Sequence, residues 1–99
     1  MVLGHAACGA IDATIKSIRD NSTLPGHLPS LVRALSPAVN ATAGQAGNAL
    51  DDAIKQNVIL NVAKLKAATP IIDKAIVDKK VRIIGAVYNL SNGRVEIMG

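Results

Sequence analysis

Aromatic side chains are almost missing from this chain: Tyr88 stands alone among 99 residues, with no phenylalanine and no tryptophan. Without rings to stack on, nucleic-acid bases have no platform here. The basic residues do not compensate. Lys16, Arg19, Arg33, Lys55, Lys64, Lys66, Lys74, Lys79, Lys80, Arg82 and Arg94 are scattered, and no run exceeds Lys79-Lys80. The formal charge of +4 therefore reads as a solvated surface, and no nucleic-acid partner is expected. A single cysteine, Cys8, excludes an intramolecular disulfide framework. No stretch approaches the roughly 18 uninterrupted apolar residues of a membrane span. Nor does the chain open on a basic segment, an apolar segment and a small-residue cleavage site. We expect no membrane partner and a cytoplasmic location.

What remains for a core is Ala, Val, Ile and Leu, which pack as helix stripes and buried strands. Ninety-nine residues suffice for one domain with one core, and the composition favours a mixed α/β layer structure.

Val2-Leu3-Gly4 suits the end of a buried parallel strand. From Cys8 the period becomes helical: Ile11, Ile15 and Ile18 share a stripe, and Asp12 precedes Lys16 in the favourable i,i+4 order, with the helix fading by Asp20-Asn21-Ser22. Leu24 to Pro29 is a connector. Ser30 to Val39 has helical spacing interrupted by Pro37, which predicts two short pieces or a kink near Ser36. Asn40 to Gly47 reads as a flexible surface loop. Asn48 caps the clearest helix, with Asp51 at its third position and Leu50, Ile54, Val58, Val62 and Leu65 along one stripe through Lys66. Thr69 as cap and Pro70 as first helical residue start another helix, Ile71 to about Val77. Val81 to Tyr88 predicts a strand buried on both faces, Asn92-Gly93 a hairpin, and Arg94 to Ile97 an edge strand. The fold class is thus α/β: a partial parallel sheet flanked by helices, closing on a C-terminal β-hairpin.

The chemistry concentrates at the start. His5 and Cys8 stand three residues apart at a strand-to-helix turn, where open α/β sheets place their ligands. If the chain coils there, an imidazole nitrogen and a thiolate reach one ion from the same side, and the positive end of the helix favours the thiolate. Taken singly, each residue is more often part of a core; together they make half a zinc site. A cysteine nucleophile with His5 as its base is the other reading of the pair. His27, between Gly26 and Leu28-Pro29, reads as a loop residue. The serines lack an elbow motif and the glycines form no phosphate loop, so triad and nucleotide chemistry have no support, and no catalytic side chain is assigned.

Val2-Leu3-Gly4-His5-Ala6-Ala7-Cys8-Gly9-Ala10 resembles the second zinc motif of the β-class carbonic anhydrases, Gly-His-x-x-Cys-Gly-Ala. The similarity continues in order through Asn57-Val58, Leu65, Pro70 and the segment Val81 to Gly93. That segment resembles the family's closing Val-x-Gly-x-x-Tyr hairpin, with Asn89 where Asp is common. The resemblance implies that His5 and Cys8 are two zinc ligands, that carbon dioxide and bicarbonate are the substrates, and that zinc makes hydroxide from water near neutral pH. It also implies a third ligand from an upstream Cys-x-Asp-x-Arg motif, which these residues do not contain, so that 1–99 forms one incomplete domain like the C-terminal part of such an enzyme. Ala6 stands where the family often has a small hydroxyl residue.

Two expectations follow. In one, the chain belongs to a zinc lyase whose missing half is supplied elsewhere. In the other, it is an inactive assembly module whose exposed strand edges make it a homo-oligomer, with elements possibly swapped between copies.

Overall fold

The computed structural model describes residues 1–45 and 47–98. Its elements run β1 (Val2–His5), α1 (Gly9–Asp20), α2 (Leu28–Ala41), α3 (Ala49–Lys66), α4 (Ile72–Val77), β2 (Gly85–Asn89) and β3 (Arg94–Ile97). The three strands form one sheet in the order β1-β2-β3, β1 parallel and β3 antiparallel to the central β2. This is the expected α/β arrangement, with one parallel pair and a closing hairpin.

The two sheet faces differ. Gly4 and Gly85 lie under α3: a Cβ at either would come within 2.7 Å of a Val58 methyl carbon. Only glycine allows the helix backbone this close to the strands. By the pleat, Val2, Gly4, Gly85, Val87 and Glu96 share that covered face, whereas Leu3, His5, Ala86, Tyr88, Val95 and Ile97 share the other. Among the described residues no helix but α3 contacts the strands, and Leu3 and Ile97 remain more than half exposed on the open face.

The core lies beneath the helices, where Ile11, Val39, Ala53 and Ile54 cluster with Cys8, Ile15, Leu35, Leu50 and Val87 packed around them. The capping expected for α3 is present: Asn48 Oδ1 accepts from the Asp51 backbone N–H at 3.1 Å. Asp12 and Lys16 pair at 2.9 Å on the exposed side of α1, worth about 0.3–0.5 kcal/mol. At the hairpin, Gly93 takes φ +70° and its N–H donates to the Asn89 carbonyl at 2.9 Å.

Three expectations need correction. First, α2 is one helix through Pro37 rather than two short pieces. The two residues after the proline, Ala38 and Val39, are buried, and packing against α1 and α3 outweighs the one backbone bond that Pro37 cannot donate. Second, β2 starts at Gly85 rather than Val81. Its partner β1 begins at Val2, whose N–H donates to the Ile84 carbonyl; among the described residues, 81–84 have no ladder, and Val81 and Arg82 are exposed instead of buried. Third, Pro70 lies in a turn, and α4 starts at Ile72 after Ile71 with no side-chain cap from Thr69. Within the loop expected from Asn40 to Gly47, α2 extends to Ala41, and Ala46 lies outside the described residues.

Candidate metal centre

His5 is the last residue of β1, aligned with Tyr88 on β2. The ladder reaches one residue further, since the Ala6 N–H donates to the Tyr88 carbonyl at 2.8 Å. The chain then reverses at Ala7, which adopts the left-handed φ of +54°, and Cys8 becomes the N-cap of α1 with its carbonyl accepting from the Asp12 N–H. One residue is thus held by the sheet and the other by the helix, with a two-residue turn between them.

The ring of His5 is exposed, and its Nδ1 lies 2.9 Å from the Ala6 carbonyl oxygen. A carbonyl only accepts, so in the neutral ring this contact places the proton on Nδ1 and the lone pair on Nε2, the tautomer that lets Nε2 ligate a metal. Cys8 is half-buried, one side against the core cluster, and makes no side-chain cap bond to the helix it begins. On that side it packs as a small apolar residue, and among the described residues its sulfur makes no hydrogen bond.

The donor chemistry suits zinc, which takes imidazole nitrogen and thiolate sulfur. The ligand count does not close within this chain: among the described residues no three of His, Cys, Asp and Glu gather where they could hold one metal ion. His27, the other histidine, is the exposed N-cap residue of α2. Ala6 supplies only backbone, its N–H to Tyr88 and its carbonyl to His5.

The sequence reading missed a polar group beside this turn. A cavity of about 150 Å³ is lined by Ala6, Asp51, Lys55, Asn89 and Glu96 over Ile54 and Val87. These side chains come from elements far apart in the chain, and no local spacing announces them.

Solved structures define the class of fold. The chain superimposes on a tetrameric β-carbonic anhydrase from the ascomycete Sordaria macrospora with a TM-score of 0.80 at 19% identity, covering 98% of this chain and 50% of the other. It matches the β-carbonic anhydrase CcaA with a TM-score of 0.73, also at 19% identity, over 98% and 48% of the two chains. In sequence, it is 28% identical over 97 residues to a carbonic anhydrase of Mycolicibacterium smegmatis, covering 98% of this chain and 47% of that protein. It is 30% identical over 94 residues to carbonic anhydrase 2 of Mycobacterium tuberculosis, covering 95% and 45%. The carbonic anhydrase family profile matches residues 1–95, and the chain belongs to that family. It spans about half the length of the curated relatives it matches.

Proposed function

We propose that this chain carries the His-Cys half of a zinc centre for the reversible hydration of carbon dioxide to bicarbonate. The observation that supports this most is the strand-turn-helix geometry, which anchors His5 and Cys8 three residues apart and leaves His5 Nε2 with its lone pair. His5 Nε2 and Cys8 Sγ would hold zinc with one or more ligands from outside the described residues. Zinc, when bound, supplies a Lewis acid that makes water nucleophilic near neutral pH. The chain's own parts have definite tasks. The Ala6 carbonyl holds the imidazole in one orientation, and the start of α1 fixes the backbone of Cys8 at its N-cap position. Residues 1–99 form one incomplete unit in this reading.

The test is zinc content and carbon dioxide hydration measured on the same purified polypeptide. Stoichiometric zinc with activity supports a zinc lyase, while metal-free, inactive protein rejects that function for this polypeptide alone. Cys8→Ser is expected to abolish zinc binding and His27→Ala to preserve it; equal loss in both would mean the site is misplaced.

A specific observation favours a second reading, an inactive self-associating module. Leu3, Val95 and Ile97 are apolar residues left exposed around the buried Ala86 on the sheet face away from α3, and the outer edge of β1 has no strand beside it among the described residues. Such surfaces drive association or strand swapping. A monomer of 10.2 kDa in size-exclusion chromatography would reject this reading.

A further inference from the structure

At the end of the sheet opposite His5 and Cys8, the fold gathers charge that the sequence spreads out. Residues 64–82 contain Lys64, Lys66, Lys74, Lys79, Lys80 and Arg82 against Asp73 and Asp78, and so hold the whole formal charge of +4. The remaining residues balance, five basic against five acidic. Four of the six, Lys66 from the end of α3 with Lys79, Lys80 and Arg82 from the segment after α4, line one open cavity of about 620 Å³. Ile76 and Ile83 belong to its lining, and no Asp or Glu is among the described residues that line it. Among the described residues none of the four cations is in a salt bridge. Like charges brought together beside apolar side chains repel, and a multivalent anion relieves that repulsion.

A backbone feature points the same way. Lys79 adopts φ +58° just past Asp78, the C-cap of α4, with its N–H on the Ile76 carbonyl and the Lys80 N–H on the Ala75 carbonyl. This is the left-handed position after a helix that glycine fills at lowest cost. A lysine held there keeps its charge at the cavity against the backbone's preference.

We propose that this groove binds an oligophosphate group of a soluble anion. The cavity is within the range of small-molecule sites and larger than a single orthophosphate requires. With no aromatic residue in its lining, it offers charge rather than stacking. It is separate from the zinc reading, since it lies at the other end of the strands.

The test is calorimetric titration of the purified protein with inorganic tripolyphosphate at low ionic strength. One saturable site is expected, weakened about tenfold or more in Lys80→Gln/Arg82→Gln and unchanged in the distant Lys16→Gln/Arg33→Gln pair. Lys79→Gly is expected to weaken binding while raising the thermal midpoint, which separates loss of charge from loss of fold. Affinity should persist in Cys8→Ser; its loss there would place the anion on a metal and overturn the assignment. Equal affinity for orthophosphate, equal weakening by the distant pair, unchanged affinity in Lys79→Gly, or binding only to vesicles bearing phosphorylated inositol lipid would each overturn it as well.

Discussion

The two faces of the three-stranded sheet are built on opposite rules. Under α3 the strands carry glycine at positions 4 and 85, and Val58 fills the space so closely that a Cβ at either would meet it at 2.7 Å. On the other side Leu3, Val95 and Ile97 are large, apolar and exposed. The covered face is specified by shape and the open one only by hydrophobicity. Close packing singles out one register and one helix position, whereas an apolar surface without a fitted neighbour accepts any apolar cover. The site inherits this division: Gly4, on the covered face, holds β1 against α3, and His5, next in sequence, emerges on the open face.

Breaking the covered side should cost most. Ile54 is 2% exposed beneath that face, and Ile54→Ala is expected to lower unfolding stability by about 2–5 kcal/mol in urea titration. An effect under 1 kcal/mol would mean that α3 is not seated on the sheet as described. Gly85→Ala should cost about 1–3 kcal/mol through overpacking. Part of that loss should return when Val58→Ala is added, because the added methyl then occupies the space Val58 leaves; strict additivity in the double-mutant cycle would show that the close approach is not what requires glycine. On the open side Ile97→Thr should change stability least, within about 0.5 kcal/mol, yet shift the protein toward smaller species in analytical ultracentrifugation. A large stability loss with unchanged assembly would erase the distinction between the faces.

Much of the fold was legible from local signals. Asn48 as a cap, the Asp12–Lys16 pair, the Asn92-Gly93 hairpin and the α3 stripe from Leu50 to Val62, with Leu65 beyond it exposed, each depend on residues within a few positions of one another, where helix and turn geometry alone decide the contact. The same holds for His5 and Cys8: a strand end, a short turn and a helix start keep them close whatever the rest of the chain does. Where the sequence reading failed, the deciding partner was remote. Pro37 predicts two short pieces or a kink, and burial of Ala38 and Val39 between helices keeps α2 in one piece through it. Val81 to Ile84 has the composition of a strand, but among the described residues no strand pairs with it.

By itself, then, the sequence determined an α/β element order, the capped start of α3 and a histidine and cysteine at one strand-to-helix turn, because each rests on short-range geometry. Only the tertiary structure decided which sheet face is covered. It alone decided where β2 begins, and that Lys66 joins Lys79, Lys80 and Arg82 around one cavity. Such features arise when segments distant along the chain are brought together by burial, and no spacing within either segment records the meeting.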